Sequence, residues 1–166
     1  MWILVGLSGS GKSTIATQIA NENPNTIIVS SDAIRDELTG NYEDQEHNEE
    51  VFKIFHDRIR KNLENKKNVI ADATNLTMKS RRAIMMKVNG LNIRTVCVII
   101  PKPFEQCKDD NLHREYPVPD FVLDKQIRKF QIPFYEENFD AIKIYDLHKK
   151  HKLSVPEMIQ QMDNFD

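Results

Sequence analysis

The chain has 166 residues and a mass of 19.4 kDa. At roughly 150 residues per domain this predicts a single domain, residues 1–166, that can bury a core without disulfide or metal staples. Hydrophobic residues at 40% and charged residues at 29%, with 5 Gly and 7 Pro, exclude a disordered, fibrous or low-complexity chain. A formal net charge of −2 argues against coating long duplexes, which needs a basic excess, and leaves open the end of one strand or a small phosphorylated ligand.

No apolar run approaches the ~18 residues of a membrane span, and residues 1–5 run straight into Gly6, not into a cleavage site. Cys97 and Cys107 make no metal-type spacing and read as buried thiols of a reducing compartment. Together these features predict a soluble, cytoplasmic protein.

Short β-branched runs at Trp2–Val5, Thr26–Ser30, 69–71, 95–100 and 141–145 alternate with amphipathic stretches. Strand then helix, repeated, predicts a three-layer α/β/α sandwich with a mostly parallel sheet. Ile15 and Ile19 share one helix face, and Val51, Ile54, Phe55, Ile59 and Leu63 form a stripe at helical spacing that packs on the sheet. Residues 41–50 are acidic and predict a solvated loop and first helical turn. Pro101 and Pro103 close the fourth strand, and residues 104–111 read as a short helix. Arg114, Tyr116, Pro117, Val118 and Pro119 form a stiff connector into a helix carrying Leu123, Ile127 and Phe130, which Pro133 ends. These two helices predict a helical lid over residues 104–131. Ser154-Val155-Pro156-Glu157 has the cap and first-turn proline of a terminal helix.

Gly6-Leu7-Ser8-Gly9-Ser10-Gly11-Lys12-Ser13 fits G-x-x-x-x-G-K-[ST], and it sits between an apolar strand and an amphipathic helix. Such glycines let the backbone curl so that N–H groups and the helix N-terminus face an anion. Lys12 then reaches the β- and γ-phosphates, and Ser13 offers an oxygen to Mg²⁺. Gly9, Ser10, Gly11, Lys12, Ser13 and Thr14 are the expected nucleotide-binding residues. No Asn-Lys-x-Asp segment of the guanine-reading kind is present, so ATP is the expected donor.

Asp32 and Arg35 lie just beyond the second strand, at the sheet edge where parallel α/β proteins bind ligands. Asp32 can orient an attacking hydroxyl, or can simply cap the second helix; Arg35, one turn along, can fork onto an acceptor phosphate. Asp72 beyond the third strand is the expected second Mg²⁺ residue with Ser13, and Asn75 a possible cap of the next helix. Lys79, Arg81 and Arg82 read as a solvated basic face, or as contacts to a strand's phosphates. Arg114, in the lid, can close on the γ-phosphate. The five histidines, His47, His56, His113, His148 and His151, show no metal-like spacing.

Four of these landmarks, in order, resemble the P-loop 5′-hydroxyl polynucleotide kinases: the phosphate loop, Asp32-x-x-Arg35, Asp72-Ala73-Thr74-Asn75-Leu76 followed by Arg81-Arg82, and Asn111-x-x-Arg114 before Val118-Pro119. The resemblance covers about residues 1–133. It implies that Asp32 is the general base, that Arg35 holds the acceptor's phosphate and that Arg114 contacts the donor phosphates. With Lys12 these make up the expected catalytic set. The family often carries Arg directly before the lid asparagine, where this chain has Asp110.

The function expected is an ATP- and Mg²⁺-dependent kinase acting on the 5′-hydroxyl end of RNA or DNA. Competing expectations are a small-molecule, nucleotide-sugar or aminoacyl-tRNA kinase of the same group, and a non-catalytic ATP-binding regulatory module.

Overall fold

The computed structural model describes residues 1–114 and 117–145. Five parallel strands, β1 (Trp2–Val5), β2 (Thr26–Ser30), β3 (Asn68–Asp72), β4 (Val96–Ile99) and β5 (Ala141–Ile144), form one sheet in the order β2-β3-β1-β4-β5. Between them run α1 (Lys12–Glu22), α2 (Ser31–Thr39), α3 (Asn48–Glu64), α4 (Met78–Lys87), α5 (Phe104–Leu112) and α6 (Asp120–Lys129). A short 3-10 turn, Tyr135–Glu137, precedes β5.

Period-two alternation divides the central strands between two layers. Ile3, Val5, Val69, Ala71, Cys97 and Ile99 face one core, while Leu4, Ile70, Val96 and Val98 face the other. The first core receives Val51, Phe55, Ile59 and Leu63 of α3; the second receives Ile15, Ala16 and Ile19 of α1. Helices on both faces of a parallel sheet make the three-layer α/β sandwich that the alternation predicts. Phe55 is fully buried at its centre, and truncation of such a ring to alanine costs about 3–5 kcal/mol.

Several boundaries differ from the sequence reading. The third strand is longer by one residue at each end, so Asp72 is its last residue and pairs in register with Ser30. The α6 helix ends at Lys129, and Phe130 is already extended, so the stop precedes Pro133. Within α6 only Leu123 is fully buried, and Ile127 remains 41% exposed. The stripe therefore does not bury as its spacing suggests, because α6 packs on α5 and the phosphate loop and does not lie on the sheet. Tyr116, His148, His151 and the Ser154-Val155-Pro156-Glu157 segment lie outside the described residues. Among the described residues no helix is long and apolar enough to cross a membrane.

Candidate active site

The chain reverses direction of winding at β1, with β2 and β3 to one side and β4 and β5 to the other. In open parallel sheets the crevice beyond the strand ends at such a point is the ligand site. Here that crevice is a cleft of about 1270 Å³, larger than the roughly 300–1,000 Å³ typical of one small ligand.

Its floor is the loop after β1. Gly9 and Gly11 have φ of +80° and +94°, the left-handed region that glycine alone enters without strain. No side chain caps α1 and its first turn holds no carboxylate, so the free N–H groups and the positive dipole end face the cleft. Gly9, Gly11, Lys12, Ser13 and Thr14 all line it. Ser10 does not: its N–H donates to the Leu7 carbonyl at 3.1 Å, and its hydroxyl is buried behind the loop without a partner. Lys12 Nζ donates to the Leu7 carbonyl at 2.7 Å. Burial pushes the Lys12 ammonium below its ordinary pKa, while Asp72 opposes that shift. The Asp72 carboxyl is pushed up by burial and pulled back by Lys12. A polyphosphate suits this cradle, and a hydroxyl (Ser13) plus one carboxylate (Asp72) is the hard, sparse oxygen set that Mg²⁺ takes when phosphates complete its shell.

Opposite the loop stands Asp32. Ser30, not Asp32, caps α2, its Oγ accepting from the Ala33 N–H at 3.3 Å. Released from capping, Asp32 sits in the first turn, half-exposed, at the cleft. Arg35 Nη1 donates to its Oδ1 at 3.2 Å, and Arg114 Nη2 lies 3.5 Å from its Oδ2. Arg35 is buried, and its Nη2 donates to Oδ1 of Asn48, the first residue of α3, at 2.8 Å. Each terminal nitrogen thus keeps an N–H in reserve, and Nε is buried without a partner. The structure brings Lys12, Asp32, Arg35, Asp72 and Arg114 to one cleft from four separate segments.

Other expectations are corrected. Asn75 is not a cap, since Thr77 caps α4 through the Ser80 N–H. Asn75 is buried in the left-handed conformation, φ +47°, and its Nδ2 donates to the Leu4 carbonyl at 2.8 Å, with longer contacts to Ala71 and Ala73. Arg81 belongs to no solvated face. It is fully buried, forks onto Glu137 at 2.7 and 2.8 Å, and donates to the carbonyls of Asn75 and Leu76. Lys79 does line the cleft, whereas Arg82 is exposed and does not. Both thiols are fully buried as read, and burial raises Cys97 to about 12 and Cys107 to about 11. Among the described residues no cluster of three His, Cys, Asp or Glu could hold a metal alone.

Three contacts go beyond the sequence reading, which names Asp110, Asn111 and Val118 only as members of the lid motif. Gln126 of α6 clasps Ser8, accepting from its N–H and donating to its Oγ, both at 2.9 Å. Lys102 donates to the Gly9 carbonyl at 3.1 Å and pairs with Asp110, so the acidic departure at 110 is matched by a lysine on the phosphate loop. Asn111 clamps Val118 through both backbone groups, at 2.7 and 3.0 Å, which ties the α5 end to the α6 entry around Arg114. All three link residues that sequence spacing alone cannot pair.

A parallel sheet with a phosphate loop at its centre, a carboxylate ending the neighbouring strand and a helix pair facing them across one cleft defines a P-loop kinase domain. Residues 1–133 match the AAA domain family AAA_33, and the chain belongs to that family. Over 135 residues it is 30% identical to the L-seryl-tRNA(Sec) kinase of Methanococcus maripaludis, covering 79% of this chain and 52% of that protein. It superposes on a chain in the Pnkp1/Rnl/Hen1 RNA repair complex with a TM-score of 0.68 and 26% identity, over 84% of this chain and 45% of that one. Kti12 of Chaetomium thermophilum in complex with ADP-AlF3 gives a TM-score of 0.73 over 98% of this chain and 95% of that one. At 13% identity that likeness shows the fold alone. The chain spans about half the length of the methanococcal kinase and of the repair-complex chain.

Proposed function

We propose that the chain transfers the γ-phosphate of ATP to the 5′-hydroxyl of a polynucleotide end, RNA or DNA. The observation that carries this reading is Asp32, held between Arg35 and Arg114 in the cleft that also contains Lys12 and Asp72. Asp32 accepts and aims the acceptor hydroxyl. As the hydroxyl oxygen bonds to the γ-phosphorus and the bond to the β,γ-bridging oxygen breaks, its proton passes to Oδ of Asp32. With a largely dissociative transition state, orientation by a weak base suffices. Lys12 neutralises charge on the β,γ-side, and Arg114, within residues 104–131 read as a lid, shifts from Asp32 toward the γ-oxygens. Ser13 and Asp72 would hold Mg²⁺, which when bound neutralises the β- and γ-oxygens. Gly9, Gly11 and Thr14 cradle the phosphates from the backbone; Ser10, turned behind the loop, supports their curvature.

Arg35 is what favours a phosphorylated acceptor. A 5′-terminal nucleotide in a strand carries a 3′-phosphate, and the reserve N–H groups of Arg35 can take two of its oxygens. Radiolabelled transfer across 5′-hydroxyl RNA, 5′-hydroxyl DNA, nucleoside 3′-monophosphates, bare nucleosides, sugars and seryl-tRNA tests the reading. A nucleoside 3′-monophosphate is the smallest good acceptor expected, and Arg35→Ala should lose roughly 30- to 1,000-fold in kcat/KM on it, about 2–4 kcal/mol. Faster transfer to a sugar than to any 5′-hydroxyl strand overturns the proposal. The 30% identity to L-seryl-tRNA(Sec) kinase favours one second reading, an aminoacyl hydroxyl on tRNA as acceptor, which the same panel separates.

A further inference from the structure

One wall of the cleft is formed by α4 and α6 and carries Lys79, Lys125 and Lys129; the rest of the lining mixes Asp32, Glu43 and Asp110 with Arg35 and Arg114. These three lysines are exposed, and none is in an ion pair among the described residues. Three other lysines are ion-paired, Lys87 with Asp57, Lys102 with Asp110 and Lys108 with Asp124. In a protein of net charge −2, three unpaired ammonium groups gathered on one wall are a local excess.

They also form one surface. Phe121, Lys125 and Lys129 recur at i, i+4 and i+8, which puts them on one face of α6. Lys79 stands close across from that face, because the Gln131 side chain, two residues beyond Lys129, accepts from the N–H of Met78 at 2.7 Å. Phe121 is 60% exposed and lies under the Lys125 ammonium, 5.2 Å from ring centroid to nitrogen. Cations at intervals with an exposed aromatic ring at one end suit a chain of phosphates carrying stackable bases.

We infer that Lys79, Lys125 and Lys129, with Phe121, form a track for the phosphates of a single-stranded polynucleotide downstream of the nucleotide whose hydroxyl faces Asp32. The inference rests on the proposed function and extends it from the terminal nucleotide to the strand behind it. The lysines of the track make no contact with the reacting atoms. They set preference for a strand over a mononucleotide.

The test uses the full chain and the triple variant Lys79→Gln/Lys125→Gln/Lys129→Gln, with a 5′-hydroxyl oligonucleotide of about 20 nucleotides and a nucleoside 3′-monophosphate as acceptors. The ratio of kcat/KM between oligonucleotide and mononucleotide should fall by about tenfold or more, through KM and not kcat. In fluorescence anisotropy of the oligonucleotide, the slope of log affinity against log salt should flatten by about 2, at ~0.7 per lost single-strand phosphate contact. Phe121→Ala should weaken the oligonucleotide and leave the salt slope in place. An unchanged ratio together with an unchanged slope overturns the track while leaving the kinase reading intact. Lysine-dependent binding without transfer to any strand supports the track and overturns the kinase reading instead. Equal displacement of the oligonucleotide by poly-glutamate of matched charge makes the wall a general anion surface and overturns the track.

Discussion

Lys12 lies half-buried on the cleft floor, where burial lowers its pKa and Asp72 opposes the shift. Removing it leaves the phosphate cradle without its point charge, so Lys12→Ala should depress transfer by at least ~10²-fold, on the order of 2.7 kcal/mol of barrier. Steady-state kinetics checks this, and near-wild-type turnover would refute the role. Asp32 makes a different demand. Its ion-pair partners are Arg35 and Arg114, and it makes no hydrogen bond to the phosphate loop among the described residues. Asp32→Asn should therefore keep ATP affinity, measured by calorimetry, and lose transfer by a similar or larger factor. A collapse of nucleotide binding in a folded Asp32→Asn protein would move the residue to the metal site. At this scale the sequence was readable wherever placement is local: Lys12 and Ser13 reach the cleft through their motif, and Asp32 stands beside Arg35 through a three-residue spacing on one helix. It misassigned Asn75 and Arg81, whose side chains are directed by a backbone turn and by partners far along the chain.

Between elements, the contact that shapes the donor site is that of the phosphate loop with α5. A side chain at Gly9 would place its Cβ 2.3 Å from the Cys107 carbonyl oxygen, in a backbone conformation with φ +80°. Neither partner can give, since both are main chain. Gly9→Ala should cost about 2–4 kcal/mol from strain and overlap, read as a drop in Tm of roughly 5–10 °C, with weakened ATP binding. Preserved Tm and affinity would mean that α5 moves away freely. The sequence predicted both helices of this pair and the proline connector, yet the clasp of Gln126 on Ser8 spans 118 residues and leaves no periodic trace.

Across the whole molecule, the turn between β3 and α4 joins the parts. Its Thr74 carbonyl accepts from the Gly6 N–H at 3.1 Å, and its Leu76 carbonyl accepts from Gln131 N–H at 2.9 Å, just beyond α6. Arg81 holds the same turn from beneath and is neutralised by Glu137, whose side chain is 5% exposed. Removing one member of a buried pair strands the other charge, so Glu137→Ala should destabilise the fold by about 3–5 kcal/mol in urea denaturation. A loss under 1 kcal/mol would show that water reaches Arg81 and that the pair does not brace the turn.

The order of strands and helices, the phosphate loop and the Asp32–Arg35 couple were settled by the sequence itself, because each depends on a period or a spacing within about one helical turn or strand. Which charges are buried and which face the cleft was decided only by tertiary structure. Arg81 and Lys79 stand two residues apart on one helix, yet one is sealed against Glu137 and the other opens to solvent. No local pattern distinguishes them. The difference arises because Glu137 lies 56 residues away in sequence and is brought beneath α4 only when β4 and β5 complete the sheet.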